Sequence, residues 1–142
     1  MNKIKVLFLC IHNSARSQMA EAYLKKFGGD NFLVESAGLQ AGKLNPIAVT
    51  VMMEEDIDIS GNKTNDVFDF YKEGRIYNYV ITVCDEASAA RCPIFPGVNK
   101  KINWSFPDPS ALQGTPEEKL IQTREIRNKI KEAVKNFINE MK

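Results

Sequence analysis

Short apolar runs alternate along the chain with longer stretches in which apolar residues recur at helical spacing. The runs at residues 3–9, 31–37 and 77–83 predict β-strands, and the continuous apolarity of the first run predicts burial on both faces of a sheet. Residues 100–104 predict a weaker fourth strand at an edge. Strands that alternate with helices predict a parallel α/β sheet with right-handed crossovers.

Helix signals fall between and after these strands. An apolar stripe beginning near Ser17 predicts a first helix, which the glycines at 28–29 end. The Asn-Pro pair at 45–46 predicts an N-cap followed by the first residue of a second helix. Residues 115–118 form a capping box that begins the last helix, and a short helix is predicted near 67–71.

Composition narrows the class of protein. The chain has 142 residues, a formal net charge of +1 and 44% apolar residues, which suits one domain spanning residues 1–142 with a core that needs no disulfide or structural metal. A charge so close to neutral argues against nucleic-acid binding. No apolar segment is long enough for a membrane span or a signal peptide. We therefore expect a cytoplasmic monomer that binds neither nucleic acid nor a membrane.

Cysteine content leaves two interpretations open. There are three cysteines and one histidine, so the cysteines cannot all pair within one chain, and a zinc site is disfavoured. In a reducing compartment such cysteines are either small apolar residues of the core or reactive thiols.

The segment between the first strand and the first helix favours the reactive alternative. Cys10 and Arg16 there can close a loop whose backbone N–H groups point inward, toward a tetrahedral oxyanion. The arginine fork and the helix dipole favour the same anion, and they also stabilise a thiolate at Cys10, to which the Ser17 hydroxyl can donate. The candidate oxyanion-binding residues are Ile11, His12, Asn13, Ser14, Ala15, Arg16 and Ser17.

This loop resembles the anion loop of the low-molecular-weight tyrosine phosphatase superfamily, and more closely that of its thioredoxin-coupled arsenate reductases. The resemblance spans nearly the whole chain. It rests on Leu9-Cys10, Asn13-Ser14, the run from Arg16 to Glu21, Ser36-Ala37-Gly38, Asn45-Pro46, residues 56–60, Val83-Cys84, Cys92-Pro93 and Asp108-Pro109. It implies a flavodoxin-like, four-stranded parallel sheet of order 2-1-3-4 with helices on both faces. In that topology Cys10, Cys84 and Asp108 converge at the carboxyl ends of the strands.

The resemblance also implies a three-thiol relay that reduces arsenate to arsenite. Cys10 attacks arsenate, Cys84 then attacks the Cys10 sulfur and expels arsenite, and Cys92 displaces Cys10 to form a Cys84–Cys92 disulfide. Thioredoxin would reduce that disulfide, and no cofactor is required. The relay gives a role to each of the three cysteines.

Two other functions are alternatives to the arsenate-reducing relay. A tyrosine or small-molecule phosphatase would use Cys10 as nucleophile, Arg16 for the phosphoryl oxygens and Asp108 as general acid. The tyrosine phosphatases of the superfamily that this loop resembles have proline at the position of Gln18. They also have aromatic residues after the Asp-Pro pair, where this chain has Ser110 and Ala111 after Pro109. The third alternative is an idle anion-binding or redox-sensing module without turnover.

The sequence leaves two assignments undecided, the role of His12 and the binding of a potassium ion. His12 is either a hydrogen-bonding residue of the loop or a catalytic base, although the relay requires no base. Several members of the resembled family hold a potassium ion behind the loop. The matching positions are Asn13, Glu21, Ser36 and Asp66. The alternative for these polar residues is a hydrogen-bond network that braces the loop.

Overall fold

The computed structural model describes residues 3–97 and 99–141, and these contain a four-stranded parallel sheet of order β2-β1-β3-β4. The predicted fold class and strand order are therefore confirmed. The strands are β1 Ile4–Cys10, β2 Phe32–Gly38, β3 Tyr79–Thr82 and β4 Lys100–Asn103. The α-helices are α1 Arg16–Gly28, α2 Pro46–Met53, α3 Val67–Lys72, α4 Glu86–Ala89 and α5 Pro116–Glu140.

Two apolar clusters cover the two faces of the sheet. Val6 and Phe8 of β1 point into the larger cluster, which α1, α2 and α5 complete. Leu7 and Leu9 point into a smaller cluster with residues of α3. All four are 0% exposed, so β1 is buried on both faces, as its continuous apolar sequence predicts. Among the described residues, no helix is both long and apolar enough to cross a membrane.

The helix signals in the sequence are confirmed at their residues. The Asn45 side chain accepts hydrogen bonds from the N–H groups of Ile47 and Ala48, which caps α2. Thr115 and Glu118 form the reciprocal capping box of α5. Local signals sufficed here because each cap uses side chains within three residues of the backbone groups that it satisfies.

Strand and helix ends differ from the predicted ones by one or two residues. β3 begins at Tyr79 rather than at residue 77. Asn78 instead links the start of β3 to β1, since its side chain accepts the Lys5 N–H and its own N–H donates to the Lys5 carbonyl. A 3₁₀ turn, Gly29–Asn31, occupies the predicted start of β2, and a second one, Pro109–Ala111, follows β4.

The strand order places the functional loops. The chain leaves β1 toward β2 on one side, while β3 pairs with β1 on the other side, so the carboxyl end of β1 is a topological switch point. Cys10 is the last residue of β1, and Cys84 follows two residues after β3 ends. Asp108 lies beyond β4 and precedes the second 3₁₀ turn.

A tight backbone contact at Gly38 ties β2 to the loop after β1. A Cβ at residue 38 would lie 2.7 Å from Asn13 N, Gln40 O and His12 C. Because these are backbone atoms, they cannot move aside as a flexible side chain would. Only glycine lets the loop pack this closely on β2.

We predict that Gly38→Ala lowers the free energy of unfolding by about 1–3 kcal/mol, because the added methyl group overpacks rigid backbone. Urea unfolding measured by circular dichroism would show it. The matched control is Gly61→Ala, since a Cβ at residue 61 meets open space. Equal midpoints for the two variants would show that the contact at Gly38 is not tight in solution.

Candidate active site

The residues after β1 form a loop whose backbone turns around the Cys10 sulfur. Asn13 has φ of 56°, a left-handed conformation that asparagine tolerates better than most residues, and its N–H donates to Cys10 Sγ at 3.0 Å. Within the described residues, the N–H groups of Ile11, His12, Ser14 and Ala15 donate to no protein acceptor. The loop thus presents unused donors beside the start of α1, which suits an anion.

A chain of buried hydrogen bonds directs a second donor at the same sulfur. The N–H of Asn65 donates to Asn13 Oδ1 at 2.9 Å, which fixes the orientation of the Asn13 amide. Asn13 Nδ2 therefore donates to Ser17 Oγ at 2.7 Å. The Ser17 hydroxyl hydrogen remains for Cys10 Sγ, 2.9 Å away. Two donors on one sulfur suit a thiolate nucleophile.

Arg16 lies at the first position of α1 and is 5% exposed. Its Nη1 donates to the Phe106 carbonyl at 3.1 Å, and its Nη2 lies 3.7 Å from Asp108 Oδ2. The other Asp108 oxygen accepts the Ser110 N–H at 2.9 Å. The guanidinium is thereby held between the loop and the segment after β4, with the Asp108 carboxyl group beside it.

Gln18 supports the loop in a way that its sequence context did not indicate. It is 1% exposed, and its Nε2 donates to Asn13 O at 3.1 Å and to Lys63 O at 3.0 Å. Asn62 Nδ2 donates to Gln18 Oε1 at 3.0 Å. A polar residue beside the loop in the first turn of α1 was the available signal, but its partners Asn62 and Lys63 lie far away in sequence.

Cys84 lies close to Cys10 and Arg16 and is 0% exposed. Burial raises the pKa of the Cys84 thiol to about 11, the positive charge of Arg16 opposes that rise, and the Cys10 sulfur adds to it. Asn103 Nδ2 at 3.1 Å and Ser105 Oγ at 3.3 Å both donate to the Cys84 carbonyl. These two bonds hold the backbone of Cys84 beyond the end of β3.

Cys92 is buried in the opposite apolar cluster, with Leu7, Leu9 and Val80. Burial raises the pKa of its thiol to about 11, Lys101 opposes the rise, and Cys84 adds to it. The helix α4 separates Cys84 from Cys92, and all three cysteines are free thiols. The structure therefore brings Cys10, Cys84, Arg16 and Asp108 together and holds Cys92 apart, across the sheet.

Comparison with known proteins fits this arrangement. A family model of low molecular weight phosphotyrosine protein phosphatases matches residues 5–142. The chain belongs to that family. The loop from Cys10 to Ser17, called the phosphatase-family loop below, lies within the matched residues.

Individual relatives are named more narrowly. An arsenate reductase of Bacillus subtilis is 45% identical over 139 residues, which cover 96% of this chain and 95% of that protein. A solved structure described as an arsenate reductase in the phosphate-binding state has a TM-score of 0.73 at 30% identity, covering 98% of this chain and 99% of the other. A thioredoxin-dependent arsenate reductase of Corynebacterium glutamicum has a TM-score of 0.66 at 29% identity, covering 99% of this chain and 64% of the other.

Behind the phosphatase-family loop, three of the four residues matched to a potassium site lie together. Asn13 Nδ2 donates to Ser36 Oγ, which donates to Glu21. The Asp66 carboxylate instead caps α3 by accepting the Phe68 N–H. The residue that joins this group is Asn65, which bonds both Asn13 and the Ser36 carbonyl.

The atoms of this cluster fit a hydrogen-bond network better than a potassium shell. Asn13 Oδ1 already accepts two N–H donors, from Asn65 and Gln18, and its NH₂ group faces Ser36. A hard cation needs several free oxygen ligands turned toward one point.

His12 stands at the surface of the loop. Its side chain is exposed, and Gly42 packs closely against its Cβ, where a methyl group would come within 2.9 Å. The His12 carbonyl accepts the Gly42 N–H at 3.0 Å. In the structure His12 thus shapes the loop through its backbone, and among the described residues no hydrogen bond joins its imidazole to the Cys10 sulfur.

We predict that Ser17→Ala slows alkylation of Cys10 by iodoacetamide at neutral pH by at least about tenfold, because the sulfur loses one of its two donors. Quenched samples analysed by peptide mass spectrometry would give the rate. Ser60→Ala serves as the control, since its hydroxyl only bonds Asp58 in an exposed turn. Unchanged alkylation in Ser17→Ala would mean that the hydroxyl does not support the nucleophile.

A second prediction concerns the order in which the thiols react. Burial raises the pKa of both Cys84 and Cys92 to about 11, so both are neutral thiols at neutral pH and become thiolates only as the pH rises toward that value. Limiting iodoacetamide at pH ~7 should therefore label Cys10 first. Labelling of Cys84 and Cys92 should increase about tenfold per pH unit above neutral. Equal labelling of the three cysteines at neutral pH would contradict this order.

Proposed function

We propose that this protein is an enzyme that reduces arsenate to arsenite, using Cys10 as the nucleophile and Cys84 as the second thiol. The observation that supports this most is the position of Cys84, a fully buried thiol that packs in the same cluster as Cys10 and close enough to Arg16 for that positive charge to oppose the rise that burial causes in its pKa. Phosphoryl transfer through Cys10 needs no second thiol at that place. Reduction does need one, and the relatives that match nearly the whole chain are named arsenate reductases.

In the first step arsenate occupies the loop, with the unused N–H groups and the Arg16 guanidinium on its oxygens. The Cys10 thiolate attacks arsenic, an As–S bond forms, and one arsenate oxygen leaves as water after protonation. Asp108 lies beside Arg16 and is the group placed to deliver that proton. No electrons have yet been transferred from sulfur to arsenic.

In the second step the Cys84 thiolate attacks Cys10 Sγ. The S–S bond forms while the As–S bond breaks, and its electron pair stays on arsenic, which leaves as arsenite. Two thiols are thereby oxidised to a disulfide, and arsenic(V) is reduced to arsenic(III). Arg16 favours the attacking thiolate against the desolvation that otherwise keeps Cys84 neutral.

In the third step Cys92 attacks Cys84, releases Cys10 as a thiolate and leaves a Cys84–Cys92 disulfide. Cys92 starts in the opposite apolar cluster, so the segment between the two cysteines must rearrange. That segment contains the four-residue helix α4, and residues 85–91 are exposed or half-buried. Little buried surface opposes its rearrangement, so the local free-energy cost is small.

The products and partners follow from this chemistry. Residues 85–91, between the two cysteines of the final disulfide, are exposed or half-buried. We propose that their rearrangement exposes the disulfide to an external dithiol, and that thioredoxin is that reductant. The relative from Corynebacterium glutamicum is named for the same dependence. The relay uses cysteines of one chain and requires reduced thiols, so we propose that it operates in a monomer in the cytoplasm.

The second candidate is a phosphatase acting on a small phosphate ester. It is favoured by one observation, the Asp108 carboxylate beside Arg16, where a general acid for the leaving group would stand. Against a phosphotyrosine substrate, the residues after Pro109 are Ser110 and Ala111, which are exposed and present no aromatic ring. A small inorganic anion needs no aromatic ring beside the loop.

The purified protein, coupled to thioredoxin, thioredoxin reductase and NADPH, should oxidise NADPH only when arsenate is present. Cys10→Ser, Cys84→Ser and Cys92→Ser should each lower this rate at least about 100-fold, because each removes a sulfur that the relay requires. Normal turnover in Cys84→Ser or Cys92→Ser would contradict the relay.

A parallel assay with an aryl phosphate separates the two functions. A phosphatase would hydrolyse the ester equally well in Cys84→Ser and Cys92→Ser, and would fail only in Cys10→Ser. Titration of free thiols after one equivalent of arsenate gives an independent result: a reductase loses two thiols per chain, and a phosphatase loses none.

A further inference from the structure

Lys101 stands on the edge strand beside the thiol that must finish the relay. It belongs to β4 and is in register with Val80 of β3. Val80 packs in the same apolar cluster as Cys92. Lys101 and Cys92 also line one cavity of about 260 Å³, together with Ala89 and Ala90 from the segment that follows Cys84.

Other charges near Cys92 are few. The groups that act on its thiol are Lys101 from β4, whose positive charge favours the thiolate, and Cys84 from the end of β3, which disfavours it. Tyr77 lies in the same cluster, but its hydroxyl is bonded to Glu35. Within residues 3–97 and 99–141, Lys101 forms no ion pair, so its charge is not committed elsewhere.

We propose that Lys101 is a positioning residue for Cys92, whose ammonium group stabilises the thiolate that attacks the Cys10–Cys84 disulfide. This inference rests on the proposed function and deepens its third step. In that step the Cys92 sulfur bonds to Cys84 Sγ, the Cys10–Cys84 bond breaks, and Cys10 leaves as a thiolate. No net oxidation occurs, because one disulfide replaces another.

The location of Lys101 on an edge strand suits this role. Cys92 must leave its apolar cluster to reach Cys84, and burial strongly favours the neutral thiol while it remains there. A cation at the wall of the same cavity lowers the cost of ionising Cys92 without a bond that would hold it in place. Lys101 is itself exposed, so salt should weaken its effect.

Single turnover of the fully reduced protein with one equivalent of arsenate tests the proposal. Arsenite release reports the first disulfide, and acid-quenched alkylation with mass spectrometry reports the loss of the Cys92 thiol. Lys101→Gln should leave arsenite release unchanged and slow the loss of the Cys92 thiol by about two- to fivefold at pH 7 and low salt. The pH profile of that later step should move to higher pH, and added salt should reduce the difference from the wild type.

Lys100→Gln is the matched control, because Lys100 is exposed on the same strand but pairs with Tyr79, which packs on the other face of the sheet. It should behave like the wild type in both steps. The proposal is overturned if Lys101→Gln and Lys100→Gln give the same rate and pH profile for the Cys92 step. It is also overturned if Lys101→Gln slows arsenite release equally.

A second measurement does not depend on arsenate. In a Cys10→Ser/Cys84→Ser variant, the Cβ chemical shift of isotope-labelled cysteine reports the titration of Cys92 alone. Because a nearby cation favours the thiolate, removing it with Lys101→Gln should move that titration to higher pH, and Lys100→Gln should not. An unchanged titration would refute the role of Lys101, whereas wild-type protein that releases no arsenite would refute the proposed function.

Discussion

The orientation of one buried side-chain amide, that of Asn13, determines the hydrogen bonds of the loop after β1. The backbone N–H of Asn65 donates to Asn13 Oδ1, and this fixes which end of the Asn13 side chain faces Ser17 and Ser36. Because Asn13 donates to Ser17, the serine hydroxyl is left to donate to the Cys10 sulfur. If the amide were reversed, its oxygen would face Ser17, whose hydroxyl would then serve the amide instead of the sulfur. The hydrogen bonds around the Cys10 sulfur thus depend on a residue more than fifty positions away in sequence.

At the carboxyl end of the sheet, the three cysteines differ in how firmly hydrogen bonds hold them. Cys10 is bonded within the loop, and the Cys84 carbonyl is held by Asn103 and Ser105. The Cys92 side chain has apolar packing and a weak bond to the Pro93 carbonyl, and its backbone N–H donates to the Ala89 carbonyl at the end of the short helix α4. A relay in which two sulfurs stay fixed and the third approaches them needs this division. It restricts the structural change to the part of the chain with the least buried surface.

Sequence reasoning succeeded where a feature depends on neighbouring residues, and was incomplete where it depends on tertiary contacts. The caps at Asn45 and Thr115 and the burial of β1 on both faces could be predicted because each depends on a local stretch of sequence. The bracing by Gln18 and Asn65 could not, since their partners come from other loops. The sequence also could not show that Asn65 bonds the loop network while its neighbour Asp66 caps α3, because the path of the chain decides which side chain turns inward. The face on which Cys92 packs depends on the path of the chain after β3 in the same way.

A phosphatase-family loop alone does not determine whether arsenic or phosphorus chemistry results, because both anions are tetrahedral and both need the same donors. The two reactions differ in the group that attacks the adduct formed on Cys10. A phosphocysteine is resolved by water, whereas a cysteinyl–arsenic adduct is resolved by a thiol that can reach the Cys10 sulfur. In the proposed reaction Arg16 serves both stages, since its guanidinium binds the anion oxygens and its charge opposes the rise in the Cys84 pKa. In the proposed reaction one buried guanidinium acts on both the anion and the second thiol, so a chain with a net charge of +1 needs no general basic excess.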